Sequence, residues 1–455
     1  MFGTTTILLS GFALLILGGG ALLTLPLAHD GTGFTSMETA YFTSVSAVTV
    51  TGHIVVETPE YWSSFGQAVI FGLMLVGGLG FMVVSTFILL LIGQRSTLQE
   101  RILTRALMRD TVGVNRMEGL RQLGRAVIFM VFLLYAVGAA VIFWQIQGLD
   151  DLGALQSLWH SVFLSVSSFN NAGFNIIPEA SDGNIARFVP NSILLITMTV
   201  LMILGGLGWV LIVDVWNRRH FARFSLETKL VLVTSILLWV IGAGVLYLAE
   251  FAPFANSGSI RSVSWVDRSL FDKVIGAIFQ SVSGRTAGFS IMDFAEVKDV
   301  TKSTFSGLMF IGGAAGSVAG GIKVATFAVL MAAVISSLRG RARAEAFGRE
   351  IHQSQLHRAL TVAVLGLALI VVSATVLTTL NPEIPFMDII FDTVSAFGTT
   401  GASTGLIPDT GLASKILFMV LMFVGRLGPV ALALALAPEE DVDVYRFAQE
   451  SVKIG

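Results

Sequence analysis

Four copies of one short signature constrain this chain more than any other feature. Ser44-Val45-Ser46-Ala47-Val48-Thr49-Val50-Thr51-Gly52 is echoed by Ser165-Val166-Ser167-Ser168-Phe169-Asn170-Asn171-Ala172-Gly173. Ser281-Val282-Ser283-Gly284-Arg285-Thr286-Ala287-Gly288 follows, one residue shorter, and Thr393-Val394-Ser395-Ala396-Phe397-Gly398-Thr399-Thr400-Gly401 completes the set. A glycine signature trails each copy: Gly77-Gly78, Gly205-Gly206, Gly312-Gly313 and, with arginine in place of the second glycine, Gly425-Arg426. Two signatures recurring in the same order mark a fourfold internal repeat, and a repeat decides the architecture before any local reading does.

The repeat sits in a membrane. Hydrophobic residues make up 54% of the chain, charged residues 13%, and the mean hydropathy is +0.80. Soluble domains carry about 25% charged residues, so this chain cannot cover itself with a water-compatible surface. Residues 6–27 are apolar over bilayer length and no Lys or Arg precedes Arg95, which reads as a first membrane helix rather than a signal peptide. The absence of cysteine excludes disulfides and thiolate chemistry. Six scattered histidines (29, 53, 160, 220, 352 and 357) form no metal motif. With no phosphate-cradling loop and no basic-aromatic patch, the chain reads as neither an enzyme nor a nucleic-acid binder.

Each repeat has three parts. A spanning apolar run (residues 6–27, 126–147, 231–251 and 360–380) precedes a shorter mixed segment (36–48, 153–169, 268–283 and 385–397). A second long run closes the unit (65–92, 191–215, 304–336 and 413–436). A dozen or so residues cannot span a bilayer, which suggests re-entrant elements. The expected fold is therefore an all-α integral membrane protein of four parallel helix–pore-loop–helix repeats. It would have eight transmembrane helices plus four re-entrant half-helices around a central pseudo-fourfold pore. The repeats divide at 1–95, 96–218, 219–340 and 341–455.

Charge sets the orientation. The junctions between repeats hold Arg95, Arg101, Arg105, Arg109, Arg116, Arg121 and Arg125, then Arg218, Arg219, Arg223 and Lys229, then Arg339, Arg341, Arg343, Arg349 and Arg358. The opposite loops are mostly acidic, with Glu57, Glu60, Asp150, Asp151, Glu179, Asp182, Glu383, Asp388 and Asp392; Arg261, Arg268 and Lys273 make the third an exception. This places both termini and the junctions in the cytoplasm of a multi-pass cell-membrane protein. The arginines read either as a topology signal with lipid headgroup contact or as a docking face for a cytoplasmic subunit.

Non-helical backbone at membrane depth must be buried or line a cavity. Each short segment ends in such a strip: Thr49, Val50, Thr51 and Gly52; Asn170, Asn171, Ala172 and Gly173; Arg285, Thr286, Ala287 and Gly288; Thr399, Thr400 and Gly401. Glycine lets successive carbonyls face one side, and rings of carbonyls replace the hydration shell of a monovalent cation. The strips carry no ring of carboxylates, which argues against a divalent cation.

On these residues the chain resembles the membrane subunit of the Trk/Ktr/HKT superfamily of potassium transporters, most of all the Ktr type. The motifs are Thr-Val-Thr-Gly at 49–52, Asn-Ala-Gly-Phe at 171–174, Arg-Thr-Ala-Gly-Phe at 285–289 and Thr-Thr-Gly-Ala-Ser at 399–403. The resemblance implies that Gly52, Gly173, Gly288 and Gly401 are filter glycines and that K+ is the transported ion, with Na+ as a candidate activator. It further implies a homodimer to which the acidic tail from Pro438 contributes, and a ring-forming cytosolic regulatory subunit that binds nucleotides. His53 departs from the family's usual apolar residue, leaving two readings: a residue lining the outer mouth, or a pH-sensitive group.

The third long run is interrupted by Gly312, Gly313, Gly316, Ser317, Gly320 and Gly321 and closed by Lys323. Interior glycines cost a helix up to about 1 kcal/mol each, so residues 304–336 read as a broken helix, against close small-residue packing as the alternative. The resemblance makes it an intramembrane gating loop. Lys323 is expected to pair locally or face the cytoplasmic vestibule. Arg426, alone in the last apolar run, is a functional residue by default, with the 312–321 stretch as its expected partner. A coupled secondary transporter (K+/Na+ or K+/H+ symport) is the other functional reading, but those folds favour inverted repeats and these run parallel.

Overall fold

The computed structural model of the chain describes residues 4–93, 116–147, 153–177, 185, 191–251 and 268–428. Arg95, Arg101, Arg105 and Arg109, the acidic residues at 150, 151, 179 and 182, Arg261, and the tail from 429 onward lie outside the described residues. So does the boundary drawn at 95/96.

Helices dominate. In chain order they are α1 (Thr4–Thr24), α2 (Met37–Thr49), α3 (Ser64–Gly93), α4 (Arg116–Ile146), α5 (Ala154–Asn170), α6 (Ser192–Leu207) and α7 (Trp209–Arg218). They continue with α8 (Leu226–Leu246), α9 (Leu270–Thr286), α10 (Asp299–Phe310), α11 (Val324–Leu338), α12 (Gln353–Leu380), α13 (Phe386–Gly398) and α14 (Leu412–Leu427). A two-residue hairpin, β1 (Glu345–Ala346) with β2 (Arg349–Glu350), precedes α12.

The molecule is apolar on the outside. Leu14, Phe129, Trp144, Val240, Leu367 and Val372 are exposed on the long helices, whereas Ser44, Ser46, Ser165, Ser281, Thr393 and Ser395 are buried. An apolar belt around a hydroxyl-rich interior suits lipid, not water. Three described helices are long and apolar enough to cross a bilayer by themselves: Arg125–Ile146, Leu226–Phe251 and Gln353–Leu380. Of the other long runs, that of the second repeat differs from the continuous span expected of it, while that of the third shows the break expected there. In the second repeat α6 and α7 meet at Gly208 with a bend of 95°. In the third, residues 311–323 separate α10 from α11. Gly208 takes φ +75, a conformation open to glycine and closed to a continuing helix. Gly428, its counterpart after α14, takes φ +87.

Short polar side chains cap two of the short helices and tie three of them to a long one. Ser36 caps α2 by accepting from Thr39 N at 3.2 Å, and Ser269 caps α9 by accepting from Asp272 N at 3.1 Å. The first serine of the signature then crosses to the preceding long helix: Ser44 Oγ donates to Ile16 O (2.8 Å), Ser165 to Tyr135 O (2.9 Å) and Ser281 to Trp239 O (2.8 Å). Three residues beyond each accepting carbonyl stands a glycine, Gly19, Gly138 or Gly242, whose missing side chain leaves room for that serine. In the fourth copy Thr393 bonds instead to its own helix at Ile389 O, and the ring of Phe397 sits against Gly366.

The packing closes on itself. α3 lies against α5, α6 against α9, α10 against α13, and α14 returns to α2. A polar clasp marks every one of these joints. Trp159 Nε1 donates to Gln67 Oε1 at 3.3 Å, and Ser192 Oγ to Asp272 Oδ1 at 3.0 Å. Lys302 pairs with Asp388 and Lys415 with Glu38, both at 2.6 Å. Asp388 is therefore clasped to a neighbouring helix, and Asp392, read above as an outer-loop charge, is fully buried within α13. Both lie in the short segment 385–397, which forms α13 (Phe386–Gly398) rather than loop.

The serine–glycine contacts yield a stability prediction. A Cβ at Gly242 would fall on Ser281 Oγ and within 2.7 Å of Leu308 Cδ1, whereas at Gly244, in the same helix, it would meet nothing. Gly242→Ala should lose about 1–3 kcal/mol by overpacking, while Gly244→Ala gains up to about 1 kcal/mol in helix propensity. Thermal unfolding of the two variants in detergent measures the contrast; equal shifts would show that the close approach carries no weight.

Candidate functional site

The second serine of each signature builds the turn that follows. After α2, Val50 N donates to Ala47 O (3.1 Å) and Thr51 N to Ser46 O (2.8 Å), with Val50 in the left-handed region at φ 57. Asn171 and Thr399 repeat this at φ 55 and 48, with Ala172 N and Thr400 N reaching Ser167 O and Ser395 O. This is the Schellman way of ending a helix, normally glycine's task. Ordinary residues hold the strained conformation because the serine side chains add bonds: Ser46 Oγ accepts from Gly52 N and Ser395 Oγ from Gly401 N, each at 3.1 Å. Ser167 Oγ donates to Phe174 O (2.7 Å) and Ser283 Oγ to Phe289 O (2.6 Å). The third signature, one residue shorter, has no left-handed residue before its glycine; Ala287 N and Gly288 N both return to Ser283 O.

These turns bring four glycines into one closed circuit. Gly52, Gly173, Gly288 and Gly401 take φ of +88, +71, +74 and +88. Where Gly52 would carry a Cβ stands the carbonyl oxygen of Ala172, and Ala287 O occupies the same place for Gly173. Thr400 O does so for Gly288, and Thr51 O for Gly401. Each glycine thus abuts the carbonyl that precedes the next glycine, and the fourth returns to the first. α2, α5, α9 and α13 all end here, so four helix C-termini turn their partial negative charge toward the same place. That arrangement favours a cation.

Side chains bridge the strips and then turn away. The Asn171 amide meets Thr286 Oγ1 at 3.3 Å, and Thr400 Oγ1 donates to Arg285 O at 3.2 Å. Thr49 Oγ1 lies 2.8 Å from Thr51 Oγ1. Asn170 accepts from Tyr135 OH (2.8 Å) and donates to Met74 O (3.3 Å), so it braces the helices behind the strip. Only the backbone of Arg285 belongs to the circuit, since its guanidinium donates to Ile311 O (2.9 Å) and Gly312 O (2.6 Å). His53 is buried behind the first strip, against the Phe418 ring at 6.4 Å. That corrects the reading of a mouth-lining residue: it occupies the same buried place after the glycine as Phe174, Phe289 and Ala402.

Residues 311–323 pass beside the circuit as an irregular, buried segment. Ala314 N donates to Gly206 O (2.9 Å), Val318 N to Gly205 O (3.3 Å) and Gly321 N to Gly425 O (3.2 Å), so the trailing glycines of the second and fourth repeats hold it. Gly312 N donates to Ile322 O at 2.8 Å and closes its base. The absent side chains matter here: a Cβ at Gly320 would strike Thr399 Oγ1, and one at Gly313 would lie 2.8 Å from Ser317 Oγ. Gly316 lies against Gly208, where a Cβ would come within 3.0 Å of it. Arg426 donates to Val318 O, inside this segment, and to Gly77 O at 3.1 Å. Lys323 Nζ donates to Ala319 O at 2.5 Å.

The circuit's supports were only partly visible in the sequence. The repeated serines lay within the signature, but nothing in their spacing showed that they hold the strip. Gln280 and Asp392 occupy one position, the residue before the signature, where Thr43 and Leu164 stand in the other copies. Those four types share no pattern.

Arg426 generates a test of the segment's tethering. A charged hydrogen bond contributes about 1.5–3 kcal/mol, and every 1.4 kcal/mol is tenfold in an equilibrium. The chain has no cysteine, so Ser317→Cys, at a fully buried position, is a clean reporter. Maleimide labelling of that cysteine should speed up at least about tenfold when Arg426→Ala is added. An unchanged rate would show that Arg426 does not hold the segment.

Comparison with known proteins places the chain in a family. The pattern of the TrkH family, described as a cation transport protein, matches residues 17–444. The Ktr system potassium uptake protein B of Bacillus subtilis (strain 168) is 35% identical over 97% of this chain and 95% of its own length. The potassium/sodium uptake protein NtpJ of Enterococcus hirae is 32% identical over 98% and 96%. In fold, the chain is similar to the crystal structure of the potassium transporter TrkH from Vibrio parahaemolyticus, with a TM-score of 0.73 at 18% identity over 96% of this chain and 86% of that one. A pattern matched along nearly the whole chain, and relatives above 30% identity that are covered almost end to end, settle the assignment: this membrane protein belongs to the TrkH family of cation transport proteins, which are transporters and not enzymes.

Proposed function

We propose that the chain is the potassium-translocating subunit of a Ktr-type uptake system. In this reading K+ passes through the circuit of Gly52, Gly173, Gly288 and Gly401, coordinated by backbone carbonyls of the four strips. The observation that carries it is the circuit itself: four positive-φ glycines, each against the carbonyl that precedes the next. Rings of backbone carbonyls are how a filter replaces the water around a monovalent ion, and four helix C-termini supply the matching field. The relatives named for potassium uptake support the choice of ion.

The finer parts of the proposal draw on the sequence repeat, the charge of the loops and the family resemblance. The chain is four parallel repeats, divided at 1–95, 96–218, 219–340 and 341–455, set about a pseudo-fourfold pore in the cell membrane. Residues 311–323 form the gate, held shut by Arg426 and by the glycines of the second and fourth repeats. Both termini face the cytoplasm, where the arginine-rich junctions receive a nucleotide-binding regulatory subunit; the subunit letter in a relative's name supports a multi-component system. The pore subunit is a homodimer. A sodium-coupled mode is the second reading, favoured by the relative named for potassium and sodium uptake.

Flux into proteoliposomes tests the reading. Wild type should take up K+ well in preference to Na+. Gly52→Ser should lose about tenfold or more of that discrimination, because a side chain at φ +88 must displace Ala172 O. K+ uptake that requires an inward Na+ gradient would establish coupling instead of simple conduction. Absence of monovalent cation flux, with cytosolic partners supplied, would refute the proposal.

A further inference from the structure

The fourth strip is supported by a charge that the third strip shows to be unnecessary for support. Asp392 Oδ1 accepts from Thr404 N at 2.9 Å and Thr404 Oγ1 at 3.3 Å, and Oδ2 accepts from Ser403 Oγ at 2.7 Å. At the equivalent place Gln280 Oε1 accepts from Ile291 N at 2.9 Å and Ser290 Oγ at 3.4 Å. Both side chains stand one residue before the signature, and both hold the residues two and three beyond the filter glycine, Gly401 or Gly288. A neutral amide does this task in the third repeat. The same task in the fourth is given to a carboxylate that is completely buried and, among the described residues, in no ion pair.

A buried carboxylate without a cation is costly unless it takes up a proton or something positive visits it. Lys302 and Lys415, on the helices α10 and α14 that pack against α13, are committed to Asp388 and Glu38. Arg285, Lys323 and Arg426 bond to carbonyls of the 311–323 segment and α3. Resting on the filter reading above, we propose that Asp392 is a specificity-determining residue whose counter-charge is the permeating monovalent cation at the glycine circuit. Its contribution is electrostatic and acts at a distance, through a strip it also holds in place.

The effect is large enough to measure. Thr404 is three residues from Gly401, so the chain between them spans at most about 10 Å. A unit charge at that range, in an effective dielectric of about 20, changes cation affinity about tenfold. Asp392→Asn keeps an acceptor for Thr404 N and removes the charge, so the half-saturating K+ concentration for uptake should rise about tenfold, with a smaller change in maximal rate. Gln280→Glu alone should lower it severalfold. The double variant Gln280→Glu/Asp392→Asn moves the charge from one repeat to the other and should recover most of the wild-type affinity, which a purely structural role would not allow.

Potassium-uptake kinetics in proteoliposomes, with each variant's amount and monodispersity checked by size-exclusion chromatography, read all three. An unchanged K+ affinity in Asp392→Asn would overturn the inference while the wild type's flux upholds the filter. So would a double variant no better than the single one. If Asp392→Asn does not fold, an unchanged affinity in Gln280→Glu is the overturning result and a tightened one supports the inference. Failure of the wild type itself to move K+ would strike the filter reading and not this residue.

Discussion

Everything in this structure depends on four places where a side chain is forbidden. At Gly52, Gly173, Gly288 and Gly401 the backbone is left-handed, and the space a Cβ would fill holds the carbonyl oxygen of the neighbouring strip. Either condition alone favours glycine; together they make the four strips one mutually supporting object. The surrounding architecture serves to bring the strips that close. Serines at the ends of the short helices fix each strip's start, and glycines such as Gly77, Gly205 and Gly425 let a second helix press against the last carbonyls of those short helices.

A second theme is the fate of buried cations. Arg285 and Arg426 are fully buried, and the bonds described for both go to backbone carbonyls. They grip opposite parts of one irregular segment, Arg285 at Ile311 and Gly312, Arg426 at Val318. The same segment also buries Ile311, Ala314, Val318 and Ile322 in the apolar core, so the charged side chains add directional bonds to a packed strip. Under the proposed function, breaking those charged bonds is what would release the gate. The glycines of 312–321 serve the same end, since they allow close approach to Thr399 and Gly208 without adding side chains that would have to be withdrawn.

The sequence disclosed the repeat, the membrane setting and the four strips, because each depends on local patterns: hydropathy, glycine and the Ser-Val-Ser run. It also pointed Arg426 toward the 312–321 stretch, and the structure brings those two together. What it hid were properties of three-dimensional return. The closure of α14 on α2 needs the last helix to meet the first, and no local signal encodes that. The 95° break at Gly208 looked like one apolar run because leucine and valine continue on both sides of it. Asp392 read as a loop charge because the composition around it is mixed, and its burial becomes visible only when Ser403 and Thr404 fold back onto it. His53, conspicuous as a titratable residue beside Gly52, is buried at the position that phenylalanine fills in two other repeats.

The central claim is that the glycine circuit is where the cation sits. Rubidium, a potassium surrogate with a usable anomalous signal, locates that site directly in crystals grown with Rb+ in place of K+. The account predicts an anomalous peak between the four strips, among the carbonyls of Thr51, Ala172, Ala287 and Thr400. Rubidium bound elsewhere, with the circuit intact and empty, would contradict it.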